Sequence, residues 1–135
     1  MYDEKEIAKL MDTAVLADLD LGSAANLGDD RIAELYNGCG PEWLPEQARD
    51  KLTKYLKIFE PAFAIHDVDY TKGDGSTFDF SMANDRLELN CLKLADYTYP
   101  WWSWRRYMAH AAAVEIASLC RRYGWTAYTQ ACKRS

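Results

Sequence analysis

A chain of 135 residues, 49% of them hydrophobic, is long enough to bury one domain's core and too apolar for a disordered tail. The formal net charge of -5 and a pI near 5.0 argue against a basic surface, so nucleic acid is not the expected partner. Four cysteines (Cys39, Cys91, Cys120 and Cys132) are widely spaced with no C-x-x-C, which argues against a zinc site or a dense disulfide framework.

The N-terminus opens Met1-Tyr2-Asp3-Glu4-Lys5-Glu6, without the positive charge and apolar core of a signal peptide. No apolar run approaches membrane-spanning length, and a reducing cytoplasm is the expected place of synthesis. Residues 3–21 read as an amphipathic helix. Ile7, Leu10, Met11, Ala14, Ala17 and Leu21 form its stripe, and Asp18 interrupts the last turn. Residues 22–30 are a linker of small and polar residues, followed by a helical turn over 31–35. Tyr36-Asn37-Gly38-Cys39-Gly40-Pro41-Glu42-Trp43-Leu44-Pro45 holds two glycines and two prolines in ten residues, the composition of an irregular loop. Such a loop can aim main-chain carbonyls or N–H groups at an ion.

Residues 46–59 predict a second helix, with Ala48, Leu52, Tyr55, Leu56 and Phe59 inward. Glu60-Pro61 breaks it or opens a third helix that ends near Gly73. Asp79 or Ser81 can cap a fourth helix running to about Tyr97. Its repeat is Met82, Asp85, Leu89 and Leu92, with Leu94 and Ala95, so Asp85 sits on or beside the apolar face. Pro100 begins Trp101-Trp102-Ser103-Trp104 and an alanine-rich helix to Arg122, and Gly124 separates a last short helix over 125–132. The three tryptophans read as core or domain edge, or as an anchor at a membrane–water boundary beside Arg105 and Arg106. No repeat and no convincing strand emerge. The expectation is one all-α domain over 1–135, with two antiparallel central helices near 60–72 and 79–97 and further helices at both ends.

Most of the chemistry lies in Ala64-Ile65-His66-Asp67-Val68-Asp69-Tyr70. On a helix, His66 and Tyr70 stand one above the other, while Asp67 is turned about 100° from His66. The imidazole and the carboxylate therefore face adjacent sectors, which suits a base and a separate metal ligand. An EF-hand starting at Asp67 fails, because Lys72 and Phe78 fall where glycine and glutamate are required. His110, the only other histidine, lies downstream, where it does not complete an HD phosphohydrolase.

Between Tyr36 and Leu92 the sequence resembles the secreted phospholipase A2 superfamily. Three parts carry the resemblance: the Tyr-Asn-Gly-Cys-Gly-Pro loop, His66-Asp67-x-x-Tyr70, and Asn84-Asp85-Arg86-Leu87-Glu88-Leu89-Asn90-Cys91. The resemblance implies a phospholipase A2-like fold and Ca2+-dependent hydrolysis of phospholipid sn-2 esters. His66 would activate water, Asp85 would fix its tautomer, and Tyr70 would hold Asp85. Asp67 and the carbonyls of Gly38, Gly40 and Glu42 would bind Ca2+, and the Gly40 N–H would add to oxyanion stabilisation.

Ala62, Phe63 and Asp69 occupy positions that are cysteine in the secreted enzymes, where disulfides staple the central helices. The chain therefore looks like a disulfide-free, phage-like version, cytoplasmic or virion-associated, in which helix packing replaces the cross-links. Asp69 is expected at the surface or in a cap. The helix from Pro100 onward has no counterpart in the family. The alternatives are a catalytically silent binding or virion-structural module on the same scaffold, and a small globular protein of unrelated function, in which His66 would lie out of hydrogen-bonding reach of Asp85.

Overall fold

The computed structural model describes residues 2–36 and 46–133, the side chains of residues 47, 48, 51 and 52 excepted. Among these residues the fold is all-α, with no strand. Helix α1 (Glu4–Leu16) starts in a capping box: the Asp3 carboxylate accepts the Glu6 N–H at 2.8 Å, and the Glu6 carboxylate accepts the Asp3 N–H at 3.3 Å. It stops at Leu16, short of the expected residue 21. Asp18 takes a φ of 60°, a left-handed conformation that a short polar side chain tolerates. A 3-10 turn follows at Gly22–Asn26, then α2 (Asp29–Leu35). Gly22 has a φ of 52°, and a Cβ there would lie 2.5 Å from Asp69 Oδ1. Glycine is required at that position on both counts.

The expected break at Glu60-Pro61 does not occur. Residues on both sides form one helix of 27 residues, α3 (Glu46–Lys72), with Pro61 inside it. A proline in a helix interior forfeits a backbone hydrogen bond and crowds the preceding turn. Packing outweighs that cost here. Phe59, Ala62, Phe63, Ala64 and Ile65 are all buried around the proline, and Tyr55, Phe59 and Phe63 form a run of ring contacts. Glu60 accepts hydrogen bonds from the hydroxyls of Tyr2 and Tyr36, tying α3 to the N-terminal segment.

Ser76 caps α4 (Thr77–Thr98), accepting the Asp79 N–H at 3.1 Å; neither Asp79 nor Ser81 is the cap. The buried stripe of α4 runs through Phe80, Ala83, Asn84, Leu87, Asn90, Cys91 and Leu94. It is rotated from the expected Met82, Asp85 and Leu89, all three of which are exposed, whereas Leu94 and Ala95 are buried as expected. Helix α5 (Trp104–Tyr123) begins after Ser103, later than Pro100, and α6 (Trp125–Cys132) closes the described chain.

Helices α3 and α4 run antiparallel through the short loop that joins them. Helix α4 also packs on α5, and α1 and α2 pack on α3. The face that α5 turns inward is made of Ala109, Ala112, Ala113, Ile116, Ala117 and Cys120. Small side chains there allow close approach to α4. Helix α6 returns to the α3–α4 turn, where Tyr128 is fully buried against Tyr70 and Phe80.

The Tyr128 hydroxyl accepts the Gly75 N–H at 3.0 Å, which fixes the ring. A Cβ on Gly73 would sit 2.5 Å from the Cε1 and hydroxyl of that ring. Gly73→Ala is therefore expected to cost about 2 kcal/mol, in the range of overpacking substitutions. Urea unfolding measures this directly; a change below about 0.5 kcal/mol, the usual scale at unremarkable surface positions, would show that the ring yields freely.

Candidate functional site

The site forms where the α3 His-Asp turn faces α4. His66 is only 5% exposed. Its Nε2 lies 2.8 Å from Asn84 Oδ1, and the Tyr70 hydroxyl donates to the same oxygen at 2.9 Å. His66 and Tyr70, one helical turn apart, bring their ring centroids to 4.1 Å. The amide oxygen is an acceptor only, so Nε2 carries the proton and Nδ1 is the basic nitrogen. Nδ1 makes no hydrogen bond among the described residues. Asn84 is fully buried, and its Nδ2 is left without a partner.

This corrects the expectation for Asp85. The histidine and the tyrosine do converge on one α4 side chain, but that side chain is Asn84. Asp85 is exposed and binds Arg121 Nη2 of α5 at 2.8 Å, while Glu88 takes Arg121 Nη1 at 2.8 Å. One residue is about 100° of helix, so a misplaced stripe exchanges the inward residue for its neighbour. The signal was present in the sequence. Phe80, Leu87 and Leu94 recur every seven residues, and Asn84 falls inside that stripe.

Burial holds the His66 imidazole below its ordinary value of 6.5, opposed by the Asn84 hydrogen bond and the Asp69 charge. The ring is neutral at neutral pH. Burial, then the nearby Cys120 thiol, push the Tyr70 phenol well up, so it remains a protonated donor.

Asp67 is half-buried on the adjacent sector. Its charge helps to raise the Cys120 thiol on α5, which burial pushes up to about 12, and it also acts on the Tyr36 phenol. Gly38, Gly40 and Glu42 lie outside the described residues. Among the described residues, no group of three or more His, Cys, Asp or Glu side chains is arranged to hold a metal.

Asp69 is not a surface residue. It is buried, accepts the Ser23 N–H at 3.0 Å and pairs with Arg86 Nη1 at 2.9 Å. Arg86 Nε also lies 3.1 Å from Asp20 Oδ2, close enough for an ion pair but without hydrogen-bond alignment. Asn90 exchanges two hydrogen bonds with the Asp20 backbone. A groove of about 400 Å³ opens beside this cluster, lined by Ser23, Lys72, Phe78, Met82 and Arg86 among others; its lining does not include His66.

Comparison of the chain with protein-family models, with curated proteins and with solved structures finds no match.

Proposed function

We propose that α3 and α4 carry a Ca2+-dependent hydrolytic centre of phospholipase A2 type, acting on phospholipid or a related lipid ester. The supporting observation is a neutral, buried His66 whose Nε2–H is held by Asn84, itself held by Tyr70, with Nδ1 left as the base. Water attacking an ester carbonyl would give its proton to Nδ1. Asn84 fixes the tautomer and ring orientation, taking the position that the resemblance gave to Asp85. Asp67 and the carbonyls of Gly38, Gly40 and Glu42 would supply hard oxygens of the kind that suits Ca2+. When bound, Ca2+ would polarise the ester carbonyl and stabilise the oxyanion, with the Gly40 N–H as a second donor.

A second reading, a catalytically silent lipid-binding or virion-structural module, is favoured by one observation. The amide of Asn84 gives no countercharge to an imidazolium. Hydrolysis of phospholipid vesicles at millimolar calcium separates the two readings. The hydrolase should lose activity in EDTA and in His66→Ala, and calorimetry should show calcium binding lost in Asp67→Asn. Calcium binding without hydrolysis of any of several headgroups would establish the silent module instead. No helix among the described residues is long and apolar enough to cross a membrane, and a cytoplasmic or virion-associated setting is part of the same proposal.

A further inference from the structure

The turn between α4 and α5 exposes an unusual amount of aromatic surface. Trp101 is 80% exposed, Trp102 72%, Trp104 70% and Tyr107 77%. The reason lies in α5 itself. Its buried face starts only at Ala109, so Trp104 and Tyr107 in its first turn stay outside the core, as do Trp101 and Trp102 in the turn before it. Trp101 and Trp102 pack edge to face with centroids 5.9 Å apart, and the Arg105 guanidinium lies 5.8 Å from the Trp104 ring. Four large aromatic side chains this exposed within residues 101–107 mark an interaction site more often than chance exposure does.

The occupant follows from shape, composition and charge. All four side chains are at least 70% exposed, so they project into solvent and lack the shelter that the walls of a groove for a peptide helix or strand would have. Four such side chains offer roughly 600 Å² of aromatic surface, from about 150–250 Å² for a whole ring. A stable dimer buries about 800 Å² per partner. Tryptophan and tyrosine, with apolar rings and a polar handle, suit the headgroup level of a bilayer. The local charge is positive despite the acidic chain. Asp96 neutralises Arg106 at 2.7 Å, whereas Arg105 makes no ion pair among the described residues and is free to meet a phosphate.

We propose that residues 101–107 form a lipid-surface anchor that seats its tryptophans at the headgroup boundary of a phosphate-bearing bilayer. The anchor does not depend on whether His66 is catalytic. It is tested with the full chain and vesicles of ether-linked phosphatidylcholine and phosphatidylglycerol, which contain no acyl ester, so hydrolysis cannot alter the readout. The wild-type protein should co-sediment with these vesicles. The triple variant Trp101→Ser/Trp102→Ser/Trp104→Ser should lose at least tenfold in partitioning while keeping its helical circular dichroism, because the replaced rings are exposed. Arg105→Glu should weaken binding and reduce its dependence on the anionic lipid. Wild-type protein that stays in the supernatant at millimolar lipid overturns the proposal, as does unchanged partitioning of the triple variant. So does a dimer, seen by sedimentation velocity without lipid, that the triple variant abolishes.

Discussion

Asn84→Asp is expected to raise the His66 pKa from below 6.5 to above it. The substitution keeps the shape of the side chain and both hydrogen bonds to its oxygen, from His66 and Tyr70. It also replaces the unpartnered Nδ2 with a carboxylate oxygen that likewise has no partner there, so the charge of the imidazolium is what offsets the buried carboxylate. A carboxylate within hydrogen-bonding distance raises the pKa of an imidazole by about 1–3, against the burial that lowers it in the native protein. The introduced carboxylate and the His66 imidazole then titrate as a pair.

The pH dependence of stability should change sign accordingly. In the native protein the folded-state pKa is depressed, so the unfolded chain binds the proton more readily. Stability is complete above about 6.5 and falls as pH drops through that value. In the variant the folded-state pKa is raised. The added stability is complete below about 6.5 and is lost as pH rises through the new pKa. It amounts to about 1.4 kcal/mol for every tenfold gain in proton affinity on folding. NMR titration of the imidazole with urea melts at pH values well below and well above 6.5 measures both halves. If His66 is the base in ester hydrolysis, the carboxylate should also speed the reaction above the raised pKa, where the ring is neutral before attack. Each ~1.4 kcal/mol of added imidazolium stabilisation in the transition state would give about tenfold. An imidazole that titrates as in the native protein would mean that Asn84 does not set the electrostatics of the ring.

The same residue marks the limit of what the sequence discloses. The helical character of the chain, the His66–Tyr70 stack and the separation of His66 from Asp67 follow from local spacing, and the structure has all three. The inward residue of α4 does not follow so directly. Met82, Leu89 and Leu92 make a stripe as plausible as the seven-residue repeat of Phe80, Leu87 and Leu94, and packing against α3, α5 and α6 decides between the two. Pro61 misled for a related reason. Proline is a local signal, whereas the buried residues around it act through tertiary contacts that no local rule includes. Asp69 looked like a surface residue because acids usually are. Its partner Arg86 lies on the next helix, and the turn that supplies the Ser23 N–H is 46 residues away in sequence.

Arg86→Met should be among the most destabilising single substitutions in the molecule, at about 3–5 kcal/mol, the usual cost of stranding one member of a buried ion pair. The Asp69 side chain is only 4% exposed and would keep a single hydrogen bond, from the Ser23 N–H. On a domain whose total stability is of order 5–15 kcal/mol, that loss would leave a large unfolded fraction at about body temperature. Asp69→Asn in the same chain should restore much of it, since the amide removes the stranded charge and can still accept the Ser23 N–H. Urea denaturation of the two single variants and the double variant gives a coupling energy, expected to exceed about 1.5 kcal/mol. Additive penalties would mean that Asp69 acts only through the Ser23 turn and that Arg86 contributes packing alone. A strong coupling has a further meaning. The Asp69–Arg86 ion pair joins α3 to α4, so the coupling energy measures how firmly that pair holds the two helices together.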